Sequence, residues 1–381
     1  MKKKTKRVIL LAVLLLACGV VYAPSAIPSL LKIRLRETFP GSSVSVGQCI
    51  FSSFDRITVK DLRIYHKDAY SLEAGEAGVQ FGLSSLLRGR ILRVFLKDAE
   101  VRYTPVETPG AVHPGFFFRK QAAGDKGFFQ VEEIELSRLH LEVKSRDFAA
   151  EAYVSLTYSL SGKRLMRLEQ SVDYAQYAGV RLKGMSLYAK QGESDGRVYI
   201  RSLRYNKLRL GQIEGTVNLR ENSFIMERLK GSILGGRFKG EAQLALQQPV
   251  TYSCKLRLEG MDMVRFVREF ELAEKMRVTG RLGGDIRVKG EGVKLQTLSG
   301  KLSAEHGGGT LVIRDTRFLE NMASRSARGA QALLVESLRN YRYNKGTVNL
   351  GLEKGNIAGK IALDGEAGKR DFTVVFHEIV P

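Results

Sequence analysis

The chain has no tryptophan, three cysteines and eight prolines among 381 residues, and each shortage removes a class of protein. Tryptophan is a common member of the interfacial girdles of outer-membrane β-barrels, so its absence weighs against that architecture. Cys18, Cys49 and Cys254 form no CxxC pair, which excludes the usual thiolate zinc sites. Cys18 lies in an apolar stretch, so Cys49 to Cys254 is the one disulfide available; two small buried side chains are the simpler reading. The histidines His66, His113, His140, His306 and His377 form neither HxxxH nor HExxH. His306-Gly307-Gly308-Gly309 has the form of an esterase oxyanion loop, but no GxSxG elbow accompanies it. Gly355 to Lys360 is one residue short of a phosphate-binding loop and lacks its Ser/Thr. No GxGxxG opens a helix after a strand. The acidic run Glu132, Glu133 and Glu135 reads as a solvated strand face. A non-catalytic protein without metal or cofactor is therefore expected.

What is abundant is glycine, with 39 residues, and positive charge, with 61 Lys and Arg against 40 Asp and Glu. Many strands with glycine at their bends suit that glycine-rich, proline-poor balance. A formal charge of +21 favours anionic partners. Beyond the N-terminus the charge is spread thinly, as in Lys60, Arg63, Arg201, Arg204, Lys255, Arg257, Arg287 and Lys289, between apolar residues. No long basic arm of the nucleic-acid type occurs, and nucleic acid is not an expected partner.

Lys2, Lys3, Lys4, Lys6 and Arg7 precede an uncharged stretch from Val8 to Leu31. A helix crosses the hydrocarbon core with about 20 apolar residues. The stretch is followed by Lys32, Arg34 and Arg36, so the larger basic excess is N-terminal and places that end in the cytoplasm. Two other readings stand beside a retained anchor. A secretory signal would be cleaved after Val21-Tyr22-Ala23, where Pro24 is a poor following residue. Leu15-Leu16-Ala17-Cys18-Gly19 has the form of a lipoprotein box that would put lipid on Cys18, but the apolar run continues to Ala23.

From Val44 onward the dominant signal is alternation, the mark of half-buried strands. Ile57 and Val59, then Leu62 and Ile64, alternate with polar residues, with a slip at Lys60-Asp61. Leu139, Leu141, Val143, then Val198-Ile200, Leu208-Leu210, Leu256-Leu258 and Ile286-Val288 continue the pattern. Short helices are expected over 27–39, ended by Pro40-Gly41, and over 262–273; the longest helical candidate is 316–339, and 105–127 reads as a long loop. The expected organisation is a basic segment 1–7, an anchor 8–31, a repetitive β domain 32–315 with a short helix near 262–273, a helical segment 316–340 and C-terminal strands 341–381.

A motif of apolar, any, Gly, any, apolar recurs. It appears as Ile213-x-Gly215-x-Val217, Leu229-x-Gly231-x-Ile233, Val278-x-Gly280-x-Leu282, Leu298-x-Gly300-x-Leu302 and Ile357-x-Gly359-x-Ile361. On a strand its first, third and fifth residues share one face. Each copy thus sets a bare glycine between two aliphatic side chains, giving up burial of about 1.5–3 kcal/mol relative to Val or Leu. Either these glycines mark bulges and bends, or they reserve space for something apolar.

Leu229-Lys230-Gly231-Ser232-Ile233-Leu234-Gly235-Gly236-Arg237-Phe238-Lys239-Gly240 resembles the Gly-Gly strand turn of the AsmA-like family, related to the TamB and YdbH proteins. Leu256 to Val264 is similar to the strand and short helix that follow it. Val278 to Ile286, and Leu298 to Leu302 through Gly307-Gly308-Gly309-Thr310-Leu311, resemble the next repeats. Upstream, Ile57 to Ile64, Leu83 to Leu87 and Ile91 to Tyr103 resemble the family's N-terminal pattern. The resemblance implies a mainly β fold, an elongated, curved antiparallel β-sheet groove (taco-like) with a few short helices. It also implies anchorage in the inner membrane by an N-terminal transmembrane helix, with the bulk of the chain in the periplasm.

The function expected is to shield and transfer lipid, phospholipid above all, along that groove in support of envelope lipid homeostasis. Ile213, Gly215, Val217, Leu229, Gly231, Ile233, Val278, Gly280, Leu282, Leu298, Gly300 and Leu302 are its expected lining. The partners are membrane lipids, the inner membrane and other envelope proteins. A rival reading is a non-catalytic assembly factor for outer-membrane proteins that offers an edge strand to clients.

Overall fold

The computed structural model describes residues 31–104, 130–314 and 340–376, apart from 52–54, 68, 83, 86–87, 146–147, 178, 248, 293, 306 and 354, and with them Pro28 and Ser29. The anchor expected over 8–31 falls almost wholly outside these residues, as do the loop 105–127 and the helix 316–339. Among the described residues no helix is long and apolar enough to cross a membrane. The fold is mainly β. The chain divides into two compact units, one running to Gln170 and one beginning at Ser171, with β8 (Arg164–Tyr177) spanning the division.

The first unit holds β1 (Ser43–Ser45), β2 (Cys49–Phe51), β3 (Arg56–His66), β4 (Tyr70–Gln80), β5 (Arg90–Tyr103), β6 (Gln130–Lys144) and β7 (Phe148–Ser159). Both short strands pair with β3, and the ladder then runs through β4, β5, β6 and β7. Every pair is antiparallel except β5 with β6, which is parallel. That corrects the all-antiparallel expectation. A parallel return needs about a dozen or more connecting residues, and the stretch between Tyr103 and Gln130 supplies them.

The slip at Lys60-Asp61 is an irregularity centred on Asp61, at φ 54°. An extra half-step there keeps Val59 and Leu62 on the same face despite their odd spacing, and both are buried. Asp98 and Arg138 also take positive φ and lie on the same line across the sheet, where Arg138 Nη2 donates to Asp98 Oδ2 at 2.6 Å. Short polar aspartates tolerate this backbone region better than most residues. A helix over 31–38, α1, places Leu31 and Leu35 one turn apart and ends at Pro40 and at Gly41, φ 80°. With Phe39 these leucines pack on a core of Val44, Val59, Leu62, Ile64, Ala74 and Ala99.

The second unit runs β9 (Val180–Lys190), β10 (Gly196–Tyr205), β11 (Leu208–Arg220), β12 (Ser223–Ile233), β13 (Gly236–Ala245), β14 (Thr251–Asp262), β15 (Met276–Val278), β16 (Arg281–Glu291), β17 (Lys294–Ala304), β18 (Gly309–Ile313), β19 (Tyr341–Glu353), β20 (Asn356–Gly365) and β21 (Gly368–Phe376). Its main ladder is antiparallel from β9 to β14, then β16, β17, β19, β20 and β21. β15 pairs with β18, which also meets β19.

The helix expected over 262–273 is α2 (Met263–Glu269), capped by Asp262, whose side chain accepts from the Val264 N–H. It stops short of the expected end because Phe270 leaves helical geometry and Glu271 adopts φ 58°. The C-terminal end of the ladder gathers a core of Leu311, Ile313, Tyr341, Tyr343 and Leu363.

Candidate functional site

The second unit carries one apolar face, and cross-strand register sorts its residues into rows. One row runs Leu229, Gly240, Leu256, Ile286, Gly300, Leu350, Gly359 and Val374 across eight consecutive strands of the ladder. On β10 and β11, Val198 faces Gly215 in the same manner. A second row runs Gly231, Phe238, Leu258, Gly284, Leu302, Val348, Ile361 and Phe372. Glycines are therefore interspersed among large side chains across the strands as well as along them.

The space above these glycines is filled from within the sheet. A Cβ on Gly215 would lie 2.7 Å from Leu229 Cδ2, and one on Gly231 would lie 2.6 Å from Phe238 Cζ. At Gly300 it would meet Ile286 Cγ1 at 3.1 Å. At Gly290 it would run into the Tyr252 ring, and at Gly240 into the Lys255 carbonyl oxygen. Each glycine is a seat for a neighbouring side chain or for a closely approaching strand.

The expected lining residues are placed in two ways. Ile213, Gly215 and Val217 share the apolar face of β11, with Ile213 and Val217 buried. Leu229, Gly231 and Ile233 do so on β12, and Leu298, Gly300 and Leu302 on β17. The copy at Val278, Gly280 and Leu282 is different. Val278 belongs to β15 and Leu282 to β16, while Gly280 turns the corner between them at φ 107°. A side chain there would also strike the Tyr343 hydroxyl, which donates to the Thr279 carbonyl at 2.7 Å. Gly280 is thus needed for backbone reasons, a correction to reading that copy as one straight strand. Val278 packs into the C-terminal core instead. Val198, Gly240, Leu256, Ile286, Leu350 and Val374 were not singled out as lining. They appear only when the register aligns strands far apart in sequence.

Leu256, Ile286, Leu298, Leu350 and Val374 are half-buried, shaded by neighbours in the sheet. Among the described residues of this unit, contacts between elements follow the ladder almost throughout; exceptions are α2 with β14 and β15, and β9 with β11. Beside those half-buried residues, on the same face, Val217, Leu229, Phe238, Leu258 and Leu302 are buried. Burial pushes the Tyr205 phenol up, and the Tyr252 phenol adds a smaller push in the same direction. Cys254, on this face beside Leu256, has its thiol pushed up to about 11 by burial and by Glu241. Cys49 and Cys254 are free thiols.

The opposite face is polar and carries cross-strand ion pairs. Lys230 meets Glu214 at 2.9 Å, Lys255 meets Glu241 at 2.6 Å, Lys239 meets Glu259 at 2.6 Å, and Arg257 holds both oxygens of Asp285. All are exposed pairs that set register and solubility more than stability.

In the first unit the apolar face forms a shallow depression of about 140 Å³ lined by Tyr70, Leu72, Val101, Tyr103, Leu141 and Val143, with Ser71 at its edge. Its exposed lining is apolar throughout. The Tyr70 hydroxyl pairs with Ser42 Oγ at 2.6 Å, tying the chain after α1 to this end of the sheet. His140, on the polar face, stacks on Tyr153 and lies between Glu100 at 3.6 Å and Glu151 at 3.4 Å. Among the described residues no group of His, Cys, Asp and Glu is arranged to hold a metal ion. Compared with protein-family models, with curated proteins and with solved structures, the chain finds no match.

Proposed function

We propose that the chain is an inner-membrane-anchored periplasmic protein of the AsmA-like kind that shields lipid acyl chains, phospholipid above all, along its apolar β-face and passes them on without catalysis. The observation that carries this reading is the cross-strand row of half-buried aliphatic side chains Leu256, Ile286, Leu350 and Val374, interspersed with Gly300 and Gly359. A contiguous apolar row that keeps part of its surface accessible suits an apolar partner. Acyl chains suit it because the row offers aliphatic contacts and no fixed polar anchor, so a chain could slide along it. The ionic ladder on the reverse face keeps the sheet in water.

The test is mass spectrometry of lipids that co-purify with the full chain in mild detergent. Leu256→Glu and Ile286→Glu should each lose most of the bound lipid, whereas Arg287→Glu, on the polar face of the same strand, should retain it. Circular dichroism and thermal midpoints identify variants that fail to fold, and Leu256→Ser serves as the milder substitute. Equal lipid content in folded inner-face and outer-face variants would sink the proposal.

One feature favours the rival reading of an assembly factor. Among the described residues β21 pairs with β20 alone, so its other edge has free backbone groups to offer a client strand. Crosslinking from Thr373 and Val375 to outer-membrane proteins, with no lipid bound, would favour it.

A further inference from the structure

On the polar face of the second unit, cations that face one another, as Lys230 does Lys239 and Lys239 does Arg257, each also hold a carboxylate, but this fails at one end of β9, β10 and β11. There the register sets Arg181 opposite Arg204 and Arg204 opposite Arg209. The three side chains are exposed, share one face and stand one strand apart, about 4.8 Å. Like charges directly opposite destabilise a strand pair. None of the three has an ion pair among the described residues. Arg204 Nε donates to the Asn206 carbonyl at 2.7 Å, and Glu271, whose carboxyl is held low by Lys207 and to a lesser extent by Arg204, pairs with Lys207 at 2.6 Å.

Lys183 and Arg201 extend the patch, the Arg201 side chain lying over Gly184, which has no side chain of its own. The row sits one residue inside the strand ends, since β9 begins at Val180, β10 ends at Tyr205 and β11 begins at Leu208. It therefore lies at a rim of the sheet. On the reverse face of the same positions stand Leu182, Leu203 and Leu210.

We propose that this arginine row docks the rim of the second unit on an anionic lipid bilayer, with head-group phosphates bridging neighbouring guanidinium groups. Phosphate oxygens between the arginines turn a mutual repulsion into shared charge-assisted hydrogen bonds. Charge complementarity and a rim position favour a bilayer surface. A single-stranded nucleic acid is less well served, because Tyr199 is the only exposed large aromatic on these three strands and such grooves stack several bases. Docking of this kind holds whether or not the apolar face carries lipid.

The experiment anchors the full chain in phosphatidylcholine vesicles and measures capture of a second, dye-labelled vesicle population by co-flotation. Vesicles containing phosphatidylglycerol should be captured, those of phosphatidylcholine alone should not, and added salt should weaken capture steeply. Arg204→Gln should weaken capture about fivefold and the triple Arg181→Gln, Arg204→Gln, Arg209→Gln on the order of a hundredfold. The triple Lys230→Gln, Lys239→Gln, Lys255→Gln removes equal charge from paired positions and should weaken it by less than about threefold. Thermal midpoints of the arginine variants should match or exceed the parent's, because repulsion has been removed. Equal losses in the two triple variants would assign capture to net charge and overturn the proposal. So would a single-stranded oligonucleotide that displaces the vesicles at lower phosphate concentration.

Discussion

The two units start from the same alternation and treat their apolar faces differently. In the first, α1 lies on the face, so Leu31, Leu35 and Phe39 cover a floor that includes the small side chains of Ala74 and Ala99. In the second, large residues lean over glycines on the next strand, as Phe238 does over Gly231, and the face stays half-bare. The difference shows two ways for a single-layer sheet to keep apolar side chains from water. One is to add a lid. The other is to make neighbours shade one another, which leaves a surface still able to accept an apolar partner.

The sharpest way to break this comparison is to fill a glycine seat. A side chain at Gly240 runs into the backbone of Lys255 and Leu256, so the strands must separate. Gly240→Val should cost about 3 kcal/mol or more. Gly351, in the same unit, meets nothing within 4 Å, and Gly351→Val should stay within about 0.5–1 kcal/mol of the parent. Hydrogen exchange of amides on β13 and β14 reads the difference locally. Equal protection in the two variants would show that the seats are not structural.

These seats also define what was legible in the sequence. The alternation and the slip at Lys60-Asp61 announce strands and an irregularity because both are local patterns. The period-two spacing around Gly215, Gly231 and Gly300 places them on the apolar face for the same reason. What fills the space above each glycine depends on register, and Leu229 reaches Gly215 only through a bulged pairing that no spacing reveals. The parallel pairing of β5 with β6 was hidden likewise, since alternation is blind to strand direction. Gly280 misled because a corner and a strand can share the same five-residue pattern. Arg204 and Arg209 face each other across a tight turn, but Arg181 joins them only through the ladder.

A smaller effect sharpens the contrast between lid and self-shading. Leu35 is half-buried on the inner side of α1 and packs on the cluster, so Leu35→Ala should cost about 1–2 kcal/mol. Leu298 is half-buried on β17 with no helix above it among the described residues, and Leu298→Ala should cost about half as much. Denaturant midpoints compare the two directly. A Leu298 cost equal to or above that of Leu35 would mean that the second unit's face is packed as tightly as the first's.

The smallest expected effect concerns the polar face that both treatments rely on to stay soluble. Arg257 grips Asp285 with Nε at 3.0 Å and Nη2 at 3.3 Å, and this hydrogen bond, aided by the charges of Arg257 and Arg287, holds the Asp285 carboxyl below its usual range. A carboxyl lowered in the folded state contributes stability that is complete above its unfolded value, about 3.9. That contribution fades as pH falls through the lower folded value, because the folded chain then gives up its advantage in holding the charge. Asp285→Asn removes the titration, so the parent should melt slightly above the variant at neutral pH and the gap should close in acid. Added salt should narrow it at neutral pH as well, since both partners are exposed. A gap that persists undiminished in strong acid would mean that Asp285 acts through packing on the polar face rather than through its charge.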